Sequence, residues 1–369
     1  MYIICFLLFV LYAALIIYYC WAWKSIPIYI SSNSAVSLKI SVIIAARDEE
    51  KNIGQLLQAL QQQSYPFDLF EVIVVDDHST DATANIVLQY PSVTLLSLKD
   101  SNINSYKKQA ITTGISAAKN EWIVCTDADC IPNKNWLSEL AGFQAAKQSK
   151  FIAAPVSINH QQSVVSIFQT MDFMILQGIT GASVSTNSHS MCNGANLAYE
   201  KKTFNNVDGF AGIDAIASGD DMLLMHKIWK KNKTTVHFIK NKDAIVTTAP
   251  MPTWKAFFQQ RIRWASKAKS YDDKRITIVL AIVYLFNLSF LILLVFSIFD
   301  IQYLVAFLMM IVAKTVVELP FFLSVSKFFE KQSLNKYFIL FQPLHILYII
   351  VSGFFGQLGT YEWKGRKVK

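Results

Sequence analysis

The chain has 369 residues, 53% of them hydrophobic and only 16% charged, with a mean hydropathy of +0.32. That is too apolar for a wholly water-soluble protein, and the charges thin out towards both ends, so a soluble middle with lipid-embedded flanks is expected. The formal net charge of +8 does not argue for nucleic acid. The excess lies beside apolar segments, at Lys255, Arg261, Arg263, Lys267, Lys269, Lys274 and Arg275 before one and at Lys364, Arg366, Lys367 and Lys369 after the last. Basic residues in such places mark the cytosolic side of a membrane and attract its anionic lipids.

The first apolar run, Tyr2 to Trp23, carries no charge until Lys24. It lacks the basic start and small-residue cleavage site of a secretory leader, so it reads as an uncleaved anchor with Met1 outside and Trp21 and Trp23 at the interface. The five cysteines form neither a metal-ligand pair nor a disulfide pattern, which suits a reducing cytosol. From Lys39 to about Thr248, short apolar runs alternate with amphipathic stretches. The runs Lys39–Ala46, Phe70–Asp76, Val93–Leu98 and Glu121–Asp127 read as buried strands; Lys51–Gln62, Asp81–Gln89 and Lys107–Lys119 read as helices. This alternation predicts a mostly parallel α/β sheet covered on both faces, with ligands bound beyond the carboxyl ends of its strands. Acidic clusters fall at those ends: Asp48 and Glu49, Asp76 and Asp77, Asp127 and Asp129.

Beyond Pro250, the segment PTWKAFFQQRIRWASKAK has Trp254, Phe257, Phe258, Ile262 and Ala265 on one helical face, and reads as a basic amphipathic helix in the membrane interface. Three apolar stretches follow, about Ile276–Phe299, Tyr303–Leu323 and Phe338–Leu358. In the second, Lys314 and Glu318 are four apart and predict an ion pair on one helix face. The third contains Pro343, His345, Gly353, Gly356 and Gly359 and is basic at both ends. It reads as re-entrant or interfacial, with a cytosolic tail beside the QQRIRW helix. The expected organisation is an anchor (1–24), a cytosolic catalytic domain (39–250), an amphipathic interface helix (251–275), a C-terminal membrane region (276–360) and a basic tail (361–369).

Four motifs carry chemistry. TDADC puts Asp127 and Asp129 directly after an apolar strand, where two carboxylates can hold a hard divalent cation and contact a ribose. Such a cation makes the donor's diphosphate a better leaving group. In VVDDHSTD, Asp76 or Asp77 can accept the imino proton of a uracil ring, while one of the pair caps the next helix. In SGDDMLL, Asp221, with Asp220 as the second candidate, is placed to take a proton from an attacking hydroxyl. In QQRIRW, Arg263 can reach a diphosphate and Trp264 offers a flat face to a sugar.

In this order, AARDEEKNI, VVDDHSTD, a Lys107…Gly114 helix, TDAD, GDD and QxxRW resemble the membrane-bound family 2 glycosyltransferases, which include cellulose, chitin and hyaluronan synthases and several lipid glycosyltransferases. The resemblance covers about Ser41 to Trp264. It implies a GT-A nucleotide-sugar-binding fold, a UDP-sugar donor, Mg2+ or Mn2+, and an inverting single displacement. By similarity, Glu49, Asp76, Asp77 and Lys107 line the nucleoside pocket, Asp127 contacts the ribose side and Asp129 the metal. Asp221 matches the base, Asn193 and Gly194 a stretch near the acceptor, and Gln260, Arg263 and Trp264 the motif between diphosphate and acceptor sugar. Thr112 stands where many members have Asn, and no third protein ligand for the metal is identifiable. The tail YEWKGRKVK resembles the ending of ceramide glucosyltransferase-like and carotenoid-type enzymes. Together with the few membrane segments it favours a lipid or lipid-linked acceptor at the inner face of the plasma membrane. The alternatives are a processive polysaccharide synthase and, against the intact acids at every motif, a non-catalytic assembly subunit.

Overall fold

The computed structural model of the chain describes residues 1–31, 37–99, 105–189, 191–214, 216, 219–267, 273–358, 361–363 and 366–368. Ser218, Lys269, Gly359, Lys364 and Lys369, read above, lie outside the described residues. The chain forms two compact units. One, Pro27–Asn159 with Ser190–Ala249, is built on a sheet; the other, Met1–Ile26 with His160–His189 and Pro250–Lys369, is helical.

After α1 (Tyr2–Ser25), the sheet unit runs β1 (Ile40–Ala46), α2 (Ile53–Gln61), β2 (Phe70–Asp76), α3 (Thr83–Val87), β3 (Val93–Ser97), α4 (Tyr106–Ala117) and β4 (Trp122–Asp127). It continues with β5 (Cys130–Pro132), α5 (Trp136–Lys147), β6 (Phe151–Ala153) and β7 (Val156–Ile158). After α6 (Val164–Ser185) come β8 (Leu197–Glu200), α7 (Lys201–Asn206), α8 (Met222–Lys231), β9 (Val236–Phe238) and β10 (Val246–Thr248). The main sheet has the order β3-β2-β1-β4-β8-β6-β9. Its first four strands are parallel, whereas β8 runs antiparallel to both β4 and β6. A small sheet, β5-β10-β7, stands beside it.

The four expected strands are present. β1 and β4 are buried almost throughout, as the inner strands of a covered parallel sheet are. Helix α4 lies close against β1 and β2. A Cβ on Gly114 would come within 2.6 Å of Ile43 Cγ2 and 3.3 Å of Val75 Cγ2, so only glycine permits this approach. Two turns earlier on that helix stands Lys107, at the end that follows the carboxyl terminus of β3.

The helical unit contains α1, α6, α9 (Trp254–Ser266), α10 (Lys274–Phe296), α11 (Ile301–Phe328) and α12 (Gln342–Gly356), followed by backbone strands β11 (Tyr361–Trp363) and β12 (Arg366–Val368). Four helices, α1, α6, α10 and α11, are long and apolar enough to cross a membrane. α1 and α11 expose large apolar side chains such as Ile3, Phe6, Met309 and Val316, a surface suited to lipid rather than water. Helix α12 has 15 residues, about 22 Å against the roughly 30 Å of a hydrocarbon core.

Several expectations are corrected here. The continuous 39–250 domain is interrupted: His160–His189 belongs to the helical unit. Helix α6 is nevertheless no simple span, because β6 before it and β8 after it pair in one sheet (Ala153↔Leu197), and a single crossing would put them on opposite sides. Trp23 does not sit at the interface; it is fully buried, edge-on to Phe328 at 5.3 Å, whereas Trp21 is exposed. The apolar face of α9 is not free for lipid. Phe257 is fully buried in a cluster with Val165, Phe168 and Tyr348, flanked by Trp254 and Phe258. Gly356 of α12 packs against Ala265 of α9, where an added Cβ would come within 2.6 Å. The Lys314–Glu318 pair forms, at 2.8 Å. It is extended by Gln342, which accepts from Lys314 at 2.6 Å and donates to Glu318 at 2.8 Å, and by the Tyr12 hydroxyl, which donates to Glu318.

Candidate active site

The parallel register brings the acids together. Ala46 of β1 pairs with Asp76 of β2, and Ala45 with Asp127 of β4, so the two carboxylates end strands on either side of β1. The turns behind these ends are tight: Asp48 and His78 both adopt left-handed backbone (φ 48° and 55°), a conformation that is costly outside glycine and concentrates at functional sites. Hydrogen bonds tie the two turns to each other. Asp48 N–H donates to Ser79 Oγ at 3.0 Å, Thr80 N–H to Asp48 Oδ1 at 2.8 Å, and Glu49 N–H to Thr83 Oγ1 at 2.7 Å.

Asp76 is buried; its Oδ2 accepts the Ser79 N–H at 3.3 Å, but its Oδ1 has no partner among the described residues. A buried carboxylate oxygen left without a donor is costly and can accept one from outside the chain. Asp77 pairs with His78 Nδ1 at 3.0 Å and lies 3.8 Å from Arg47. Neither Asp76 nor Asp77 caps α3, contrary to expectation. The N-cap position is Ala82, and Asp81 just before it accepts from Thr83 N–H at 3.0 Å. The Glu49 carboxylate accepts from Asn52 Nδ2 at 2.7 Å.

Lys107 joins two motifs, its ammonium lying 2.7 Å from Asp127 Oδ1 and 3.1 Å from Asp220 Oδ2. Burial alone would lower its pKa, but the carboxylates of Asp127 and Asp220 hold it well above the ordinary lysine value. Gly194 lies against this pair: an added Cβ would stand 3.0 Å from Asp220 Oδ2 and 3.1 Å from Lys107 Nζ. The adjacent Lys108 is buried and donates to the carbonyls of Ile213 and Ile216 at 2.5 and 2.6 Å, tying down the chain ahead of the GDD motif. Thr112 only returns its hydroxyl to the Lys108 carbonyl.

Burial, reinforced by Asp127 and Glu49 close by, pushes the Asp129 carboxyl up to about 6. Crowded oxygen donors of one charge suit a hard divalent cation, which would relieve their repulsion. Among the described residues no group of three or more His, Cys, Asp or Glu is arranged to hold a metal. Asp221 caps α8: Oδ1 accepts from Met222 N–H at 2.7 Å and Oδ2 from Gly194 N–H at 3.2 Å. Asn193 Oδ1 accepts from Ala195 N–H, which shapes the same loop.

Gln260, Arg263 and Trp264 lie on α9 of the helical unit. Arg261 reads in the sequence as one more flanking charge, yet it is the buried member of the motif. Its Nη1 donates to Gln260 Oε1 at 2.9 Å and its guanidinium lies 4.3 Å from the Trp264 ring centre. It is paired with Asp172 of α6, a residue that no motif pointed to.

The architecture is that of the GT-A nucleotide-sugar-binding fold. A mannosyltransferase from Pyrobaculum calidifontis, PcManGT, solved with GDP-Man and Mn2+, superposes with a TM-score of 0.58 over 96% of this chain and 95% of its own, at 19% identity. Residues 41–213 match the glycosyl transferase family 2, so this stretch of the chain carries a family 2 glycosyltransferase domain. Among curated relatives, the probable glycosyltransferase YdaM of Bacillus subtilis is 27% identical over 69% of this chain and 63% of its own length. The poly-beta-1,6-N-acetyl-D-glucosamine synthase of Staphylococcus epidermidis is 23% identical over 61% and 53%. The chain thus spans between half and two thirds of the length of these relatives.

Proposed function

We propose that this glycosyltransferase moves a sugar from a UDP-sugar donor to a membrane lipid or lipid-linked acceptor at the cytosolic face of the plasma membrane, by an inverting displacement that depends on Mg2+ or Mn2+. The observation that carries the reading is Lys107, whose one ammonium is bound to both the Asp127-x-Asp129 motif and the GDD motif. Donor-binding and base-bearing carboxylates are thereby held around one point.

The unpartnered Oδ1 of Asp76 accepts the imino N–H of the donor's base, with Asp77 and Glu49 fixing the surrounding turns. Asp127 and Asp129 would hold the cation together with diphosphate oxygens; when bound, it neutralises the leaving group. The acceptor hydroxyl attacks the anomeric carbon as the bond to the diphosphate breaks, and its proton passes to Asp221. Two main-chain N–H groups fix the Asp221 carboxylate, and each oxygen keeps a further lone pair for that proton. Asp220 is the weaker candidate because the Lys107 ammonium already engages it. Asn193 and Gly194 border the acceptor, and Gln260, Arg263 and Trp264 meet the diphosphate and acceptor sugar.

A polysaccharide synthase among the relatives keeps a second reading alive, processive synthesis of a polymer. Membranes are incubated with a panel of radiolabelled UDP- and GDP-sugars, and lipid and polymer fractions are extracted separately. Label from one UDP-sugar in the lipid fraction, lost in chelator, is expected. Membrane-retained oligomers that lengthen with time would replace the lipid reading, and a GDP-sugar as sole donor would replace the uracil assignment.

A further inference from the structure

Arg261 is buried in the helical unit with its charge matched. Both Nε and Nη2 donate to Asp172 Oδ2, at 3.0 and 2.7 Å, and the Tyr348 hydroxyl donates to Asp172 Oδ1 at 2.6 Å. Three helices meet at this one carboxylate: α6 supplies Asp172, α9 Arg261 and α12 Tyr348. Fastening helices does not require such a group, since well-packed apolar side chains do so without the desolvation cost of a buried ion pair. The arrangement is distinguished by where the rest of the guanidinium goes. Nη1 donates to Gln260 Oε1 at 2.9 Å, and the guanidinium plane stacks on Trp264, 4.3 Å from the ring centre.

A guanidinium has donors and no acceptor, so the Gln260 atom facing it is the carbonyl oxygen, and the amide NH2 is turned away as a free-facing donor. We propose that Asp172, Arg261 and Tyr348 are positioning residues that set the Gln260 amide and the Trp264 ring in the orientation in which they meet the acceptor. Asp172 aims the guanidinium, Tyr348 aims Asp172, and Arg261 selects which end of the Gln260 amide is presented. The inference rests on the reading of Gln260 and Trp264 as substrate-facing.

The test uses full-length enzyme in nanodiscs made from a total lipid extract of the source membranes, with the radiolabelled UDP-sugar that the panel identifies. Tyr348→Phe and Arg261→Lys each remove part of the aiming without opening a large cavity. Each is expected to lower kcat for transfer to lipid by roughly tenfold or more, as small misplacements of substrate contacts do. UDP affinity by calorimetry and the melting temperature stay at wild-type values. In a Gln260→Ala background, Tyr348→Phe is expected to add little, because the group it positions is gone. Full activity in both single variants, a loss that multiplies on top of Gln260→Ala, or a loss matched by weaker UDP binding and a lower melting temperature would each overturn the inference. Wild-type activity in both Gln260→Ala and Trp264→Ala would instead overturn the reading of the motif beneath it.

Discussion

Four acids, two in each unit, differ in how fully their oxygens are met. In the helical unit every carboxylate oxygen of Asp172 and Glu318 is met by a donor: Arg261 and Tyr348 for one, Lys314, Gln342 and Tyr12 for the other. In the sheet unit Asp76 keeps an unsatisfied oxygen, while Asp129 is crowded by Asp127 and Glu49. Asp172 thus has a donor on each oxygen, whereas Asp76 leaves one oxygen open among the described residues. Saturation, more than burial, separates the two: Asp76 and Asp172 are both 7% exposed.

The comparison breaks most sharply at Asp129. Asp129→Ala is expected to abolish transfer and metal-dependent UDP binding, a loss of several kcal/mol of transition-state stabilisation, with circular dichroism unchanged. Near wild-type turnover in chelator would remove Asp129 from the site. Asp221→Asn keeps shape and hydrogen bonding, so transfer should fall about 10²–10⁴-fold while UDP still binds. If Asp220→Asn is the dead variant and Asp221→Asn is active, the base is the other carboxylate.

At the Lys314–Glu318 pair the expected effect falls on stability. Lys314→Met leaves Glu318 charged and short of a partner and should cost about 3–5 kcal/mol, whereas Lys314→Met with Glu318→Leu should recover most of it. Denaturation in detergent with residual activity reads both, and an equal loss in the double variant would contradict a purely structural pair. Asp76→Asn should weaken UDP binding by about 1.5–3 kcal/mol, the worth of one charged hydrogen bond, with kcat at saturating donor much less affected. The smallest effect concerns Lys240, whose ammonium burial lowers to about 8 from the ordinary 10.5. The unfolded chain then binds more protons between those values, so this residue's destabilisation is full below pH 8 and fades as pH rises towards 10.5. Lys240→Met should therefore raise the melting temperature below pH 8 and converge on wild type near pH 10.5; a difference independent of pH would exclude titration as its cause.

The strands β1, β2 and β4 were legible because each carries a short, mostly apolar run with acids at or just beyond its end, and the parallel sheet follows from their alternation with helices. Helix α6 was not. Gln169, Asp172 and Gln177 interrupt its apolar pattern, and each faces a protein interior, not lipid. Its polar residues make sense only through partners far along the chain, as Asp172 does through Arg261, 89 residues away. Arg261 misled for the same reason. Beside Arg263 and Lys267 it looks like a flanking charge, and composition cannot tell a solvated arginine from one stacked on Trp264. Strands β5, β6, β7, β9 and β10, three residues each, are too short to carry a period.

Because the chain leaves the sheet unit at Asn159 and returns to it at Ser190, no cut at the termini yields a soluble catalytic fragment. Removing Met1–Ile26 and Pro250–Lys369 would retain all of α6 while stripping Phe168 of Phe257 and Tyr348 and leaving Asp172 without its counter-charge. Such a fragment would carry a bare 22-residue apolar helix and aggregate on expression, however complete its sheet. Soluble production calls for replacing 160–189 with a short polar linker as well.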